Sequence, residues 1–170
     1  MTAQTITVPD ADAMRRLGRR LGEALAGLQD RPIVVALNGE LGAGKTTFVG
    51  GVLAGMGISG AVRSPTYTLI EPYETGGAAG QRLYHLDLYR LAGAEELEAL
   101  GVRDLHVPGS ILIVEWAARG GAALPPADLT LEFRYAEAAD GIASPRCIEA
   151  LAATDAGHAL KHRLAQGSAS

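Results

Sequence analysis

The chain has a single cysteine, Cys147, so no internal disulfide is open to it, and a lone thiol of this kind is expected as a small buried side chain. No apolar stretch approaches the roughly 20 residues needed to cross a bilayer. The beginning also lacks the basic segment followed by an apolar one that marks a secretory signal. Together these point to a soluble, cytoplasmic protein with no membrane contact. Basic charge is scarce as well. A net charge of −4 and a pI near 5.5 leave no basic stripe for wrapping nucleic acid, which disfavours direct RNA binding. His85, His106, His158 and His162 show no metal-ligand spacing with Cys147, so no zinc site is assigned. No internal repeat is visible.

What remains is an ordinary globular composition, 48% apolar and 20% charged over 170 residues. That length suits one core. Residues 1–166 are expected to form a single nucleotide-binding domain, with 167–170 as a frayed tail. Thr5 to Val8 reads as a strand, and Pro9-Asp10 then opens a helix whose stripe is Met14, Leu17, Leu21, Leu25 and Leu28. Arg15, Arg16, Arg19 and Arg20 fall off the stripe, as on a solvated face. The run 33–38 is apolar throughout, as in the middle of a sheet covered on both sides. A second helix reaches about Met56. Its Gly50, Gly51 and Gly55 each cost up to about 1 kcal/mol relative to alanine, a cost ascribed to close packing against the sheet.

Further on, 67–71 and 82–88 read as strands flanking the polar stretch 75–81, an antiparallel hairpin. A short acidic helix over 94–100 ends at Gly101, and Ile111 to Val114 is another buried strand. Leu129, Leu131, Phe133 and Tyr135 alternate with polar residues, 145–151 is available to pair with them, and a last helix covers about Asp155 to Leu164. The fold class expected is α/β: a three-layer sandwich like that of P-loop NTPases, its mixed central sheet including an antiparallel portion.

The chemistry starts at Gly39-Glu40-Leu41-Gly42-Ala43-Gly44-Lys45-Thr46, a full match to the GxxxxGK[ST] phosphate loop between a strand and a helix. Its glycines let backbone N–H groups turn inward on phosphate oxygens, Lys45 reaches the β- and γ-phosphates, and the Thr46 hydroxyl is placed to ligand Mg²⁺. Residues 39–47, Thr47 included, are the expected nucleotide contacts. No [NT]KxD element or DxxG switch follows in the order a GTPase would show, so ATP is favoured over GTP. Glu115 closes Ile111-Leu112-Ile113-Val114-Glu115, four apolar residues and then an acid, the manner in which a Walker B strand presents a carboxylate beside the metal, here with glutamate for the usual aspartate. Asp87 interrupts the apolar stretch 83–89 and reads two ways. It serves a metal or cation, or it faces solvent alongside His85 or pairs with Arg90. Arg63-Ser64-Pro65-Thr66-Tyr67-Thr68 is equally a loop that senses the γ-phosphate or a plain turn before a strand. Trp116 either packs over the site or fills the core.

Taken together, Gly-Glu-Leu-Gly-Ala-Gly-Lys-Thr-Thr-Phe, Ser-Pro-Thr-Tyr-Thr-Leu, His-Leu-Asp-Leu-Tyr-Arg and Val-Glu-Trp resemble the bacterial TsaE family, formerly called YjeE, and occur in its order. The resemblance runs from Pro9 to about Leu164. It implies a small Mg-dependent ATPase that works with the TsaD and TsaB proteins in the threonylcarbamoyladenosine modification of tRNA, meeting tRNA through that complex. It further implies that Lys45, Asp87 and Glu115 are catalytic and that Thr46, Glu115 and Asp87 surround the metal. Ser64, Pro65 and Thr66 would form a switch-like loop, and Asp10, Ala11 and Arg146 would lie near the nucleotide, ATP or ADP. Hydrolysis without partners is expected to be slow, with Arg63 as a candidate for completing the site. Two other readings stand beside this one. A P-loop small-molecule kinase would want several lid arginines, where 101–127 carries only Arg103 and Arg119; a nucleotide-binding structural subunit would not turn over at all.

Overall fold

Alternate residues of the apolar run Ile33–Gly39, strand β2, bury against different neighbours: Ile33, Val35 and Leu37 join one core cluster and Val34 joins another. A strand buried on both sides belongs inside a sheet. In the computed structural model, which describes residues 3–62, 65, 67–75, 80–136 and 145–167, β2 lies at the centre of seven strands. These are β1 (Gln4–Val8), β2, β3 (Ile70–Glu74), β4 (Arg82–Asp87), β5 (Ser110–Glu115), β6 (Leu129–Tyr135) and β7 (Arg146–Ala152), in the order β1-β7-β6-β2-β5-β4-β3. The middle four are parallel. β3 adds to β4, β7 to β6 and β1 to β7 in antiparallel fashion, so the sheet is mixed, as expected.

Helices α1 (Ala11–Ala26), α2 (Lys45–Gly55) and α4 (Asp155–Ala165) cover one face. The other is covered more thinly, by α3 (Ala94–Ala99) and short helical turns that pack over Val34, Leu112 and Val114. This is the expected α/β sandwich. Asp10 caps α1 by accepting from the Ala13 N–H at 2.7 Å. The helix ends two residues before Leu28, which still packs against the core. Gln81, expected in a polar loop, is buried, and its amide donates to the Leu25 and Leu28 carbonyls at 3.1 Å. It ties the segment before β4 to the C-terminal end of α1. Asp128 ties three elements together, accepting from the Val34 N–H at 2.9 Å and from the Thr154 hydroxyl, which caps α4, at 2.7 Å.

Three expectations need correction. The Gly51 and Gly55 backbone packs against α1, not against the sheet. A Cβ on Gly51 would overlap the Arg15 carbonyl oxygen, and one on Gly55 that of Arg19. Reciprocally, a Cβ on Gly18 would overlap the Phe48 carbonyl and one on Gly22 that of Val52. Four glycines, spaced by four on each helix, bring the two backbones into direct contact. Second, β3 begins at Ile70: Tyr67 to Leu69 form a turn in which Leu69 has φ 62° and its N–H meets the Pro65 carbonyl at 2.8 Å. Third, Cys147 is half-buried on β7. Among the described residues no helix is long and apolar enough to cross a membrane.

The glycine contact is testable by urea denaturation. Gly51→Ala should lose about 2 kcal/mol or more, at the upper end of what overpacking costs. Gly50→Ala, whose new methyl would meet only the Val62 side chain at 3.1 Å, should stay within about 1 kcal/mol, since gained helix propensity offsets the mild crowding.

Candidate functional site

The loop between β2 and α2 has the conformation that its glycines permit. Gly39 and Gly44 have φ of 140° and 103°, and a side chain on Gly39 would overlap the Phe133 carbonyl. Lys45, the first residue of α2, is only 4% exposed. Its Nζ donates to the Gly39 and Glu40 carbonyls at 2.6 and 2.9 Å and sits 4.4 Å from the centre of the Trp116 ring. Burial lowers its pKa below the ordinary lysine value, against the opposing pull of Glu115 and Asp87. The ammonium is thus held on weak dipoles where an anion would serve it better.

Two parallel strands deliver the carboxylates. Asp87 ends β4 and Glu115 ends β5, and the two are register partners; Leu37 of β2 is the next partner along. Glu115 is 3% exposed. Its Oε1 lies 3.2 Å from the Thr46 hydroxyl and its Oε2 3.4 Å. Asp87 Oδ1 accepts from the Tyr89 N–H at 3.1 Å. Burial raises the Asp87 pKa above the ordinary carboxylate value, partly countered by that N–H and reinforced by the nearby Glu115 charge. Trp116 turns the chain with φ 57°, its N–H on the Leu37 carbonyl. It packs partly against the second core cluster and also lines the site, so both readings of it hold in part.

These groups surround a cavity of about 440 Å³ that includes Gly42, Lys45, Thr46, Asp87, Glu115 and Trp116. A second cavity, about 420 Å³, shares Gly42, Gly44 and Thr47 with it and is walled by Pro9, Ala11, Tyr135 and Arg146. The structure therefore brings Ala11 and Arg146 to the loop from distant parts of the chain. Arg146 stacks on Tyr135, its register partner, with the guanidinium carbon 4.1 Å from the ring centre. Tyr135 donates to the Leu41 carbonyl at 3.2 Å, and Arg146 to that of Gly42 at 3.4 Å. One cavity suits phosphates and a cation, the other a flat base. The loop residues Glu40, Leu41 and Ala43 contribute backbone here, with Leu41 69% exposed and the Ala43 N–H on the Glu40 carbonyl. Ser64, Thr66 and Arg63 lie outside the described residues.

The hydroxyl of Thr46 and the carboxylates of Glu115 and Asp87 form an oxygen donor set of the kind Mg²⁺ takes together with nucleotide phosphates and water. Among the described residues no three His, Cys, Asp or Glu side chains gather to hold an ion unaided. Sequence reasoning missed two residues. His85 does not face solvent: it is fully buried, with Nε2 2.8 Å from Glu115 Oε1. Its place two residues before Asp87 on one strand was the available signal. Tyr135, seen only as a strand residue, walls the second cavity.

The model for Threonylcarbamoyl adenosine biosynthesis protein TsaE matches residues 8–142, well over half of the chain. The chain belongs to the TsaE family. It is 44% identical over 158 residues to the tRNA threonylcarbamoyladenosine biosynthesis protein TsaE of Haemophilus influenzae, covering 92% of this chain and 94% of that one. It is 36% identical over 115 residues to the protein of the same name from Treponema pallidum, covering 68% and 82%. The crystal structure of Bacillus subtilis YdiB superposes with a TM-score of 0.72 at 28% identity, over 97% of this chain and 95% of that one. The TsaE fold thus extends across both cavities.

The raised Asp87 pKa predicts how stability depends on pH. A carboxyl that holds its proton more tightly when folded costs stability once ionised, and that cost is absent below the ordinary carboxylate value of about 4. Asp87→Asn should therefore raise the urea midpoint of the ligand-free protein at neutral pH. The gain should fade as pH falls toward about 4, when melts are compared across that range.

Proposed function

We propose that this TsaE chain is a cytoplasmic ATP hydrolase that binds Mg-ATP across residues 39–47 and acts with the TsaD and TsaB proteins in tRNA threonylcarbamoyladenosine biosynthesis. The observation that carries the reading is the Thr46 hydroxyl set against the buried Glu115 carboxylate, beside a lysine whose hydrogen bonds go to two backbone carbonyls. Backbone N–H groups of 42–46 and the N-terminus of α2 cradle the phosphates. Lys45 exchanges the Gly39 and Glu40 carbonyls for phosphate oxygens and regains a full counter-charge. Thr46 and Glu115, with Asp87 beside them, hold the cation. Magnesium, when bound, offsets charge on the phosphate oxygens and orients them for in-line attack. Asp87, whose burial makes it a better proton acceptor than an exposed carboxylate, is placed to orient the attacking water. The adenine lies between Ala11 and the Tyr135–Arg146 stack, where aromatic and guanidinium planes favour a base.

Charge stabilisation at the phosphates is completed only when a partner docks. Turnover by the isolated chain is accordingly slow. The cycle of binding and hydrolysis resets the TsaD–TsaB assembly and does not itself transfer the threonylcarbamoyl group.

Phosphate release from Mg-ATP should be weak alone and rise when TsaD and TsaB are added. Glu115→Ala should lower the stimulated rate by roughly 100-fold, the scale of one lost transition-state contact. Stimulation that leaves the Glu115→Ala protein as active as wild type would refute hydrolysis at this site. On the other side of the loop, Arg146→Ala should weaken ADP binding about tenfold, as loss of one stacking partner does. Calorimetry should show the same weakening with and without magnesium.

A further inference from the structure

Glutamate at the end of β5 is one methylene longer than the aspartate usual at such a position and has one more torsion to fix. A carboxylate on that longer arm reaches the metal position only if something restrains it. Its neighbour on β4 does so. His85 is fully buried, and its Nε2 meets Glu115 Oε1 at 2.8 Å while the Thr46 hydroxyl lies 3.2 Å from the same oxygen and 3.4 Å from Oε2. The strand pairing puts the two side chains on one face of the sheet, since His85 and Ile113 are register partners and Asp87 and Glu115 follow two residues on. Its other nitrogen, Nδ1, is buried with no hydrogen-bond partner among the described residues. The fold has committed this imidazole to one contact only. Facing a carboxylate, Nε2 carries a hydrogen and donates it.

We infer that His85 is a positioning residue that holds the Glu115 carboxylate toward Thr46 and the cation site through its Nε2–H. The inference rests on the metal-nucleotide reading above. A group hydrogen-bonded to a metal-binding carboxylate fixes its orientation, and loss of such a group typically costs 10–100-fold in metal affinity or activity. His85 touches neither nucleotide nor cation, so its effect appears in how much magnesium the site requires.

Two variants separate the nitrogens. The amide nitrogen of His85→Gln falls near the position of Nε2, whereas that of His85→Asn falls near Nδ1. ADP affinity would be measured by calorimetry in EDTA and then over a magnesium titration, after thermal melts of each variant. In EDTA both variants should match wild type. The His85→Asn protein should need roughly 10–100-fold more magnesium for the same gain in affinity, and His85→Gln should restore most of that loss. Independently, ¹⁵N NMR of the native protein should show the ring with hydrogen on Nε2.

An unchanged magnesium dependence in His85→Asn would overturn the inference. So would equal impairment of the Asn and Gln proteins, or a native ring protonated on Nδ1 alone. If neither variant folds, the native NMR tautomer decides. A wild-type protein whose ADP affinity ignores magnesium would sink the metal-nucleotide reading and this inference with it, whereas a normal wild type with a silent His85→Asn sinks only the inference.

Discussion

Two parallel strands end in register beside a third that runs two residues further, and the site depends on that alignment. Leu37 of β2, Glu115 of β5 and Asp87 of β4 are successive partners across the sheet. Each chain segment turns away just beyond that line, β2 into the glycine loop, β5 through Trp116 and β4 toward Tyr89. Because side chains on a strand alternate between faces, a slip of one residue in either pairing would send a carboxylate to the wrong side of the sheet. The two faces of the sheet pack into different cores, Ile33, Val35 and Leu37 into one and Val34 into the other, so a slip of one residue would misfit both. Packing energy far from any phosphate thereby fixes the placement of the charges.

The local electrostatics follow from this. Burial acts on the two opposite charges in opposite ways: the Lys45 ammonium is pushed toward losing its proton and the Asp87 carboxyl toward keeping one. A site in which the ammonium rests on carbonyl dipoles is prepared for an anion before any arrives. Pre-organisation of this kind removes reorganisation cost from the binding step.

Much of this was legible in sequence because it is local. The glycine loop between a strand and a helix, the two fully buried strands and the acid closing the second one are each written in a few consecutive residues, and these elements lie where expected. What was not legible is relational. Gly51 and Gly55 announce close packing, but a glycine names no neighbour, and α1 was the partner where the sheet was expected. Polar His85 on a strand reads equally as outward-facing until the position of Glu115 is known. The Tyr135–Arg146 wall joins residues of two strands to the start of α1, a proximity that no spacing encodes. Tyr67 to Leu69 have strand-like composition, but the Leu69 turn delays β3 to Ile70.

The glycine contact between α1 and α2 also bears on where the molecule can move. Side chains act as bearings between helices, letting one roll or slide over the other by small torsional adjustments. Here, at Gly18, Gly22, Gly51 and Gly55, backbone meets backbone and no such bearing exists. Asp10 and Ala11 at the start of α1 and Lys45 at the start of α2 are therefore carried on one stiff block. The cavity walls that this block bears, Asp10 and Ala11 on one side and Lys45 on the other, shift together if they shift at all, and Tyr89 and Trp116, which line the first cavity from the strand ends, stand outside that block.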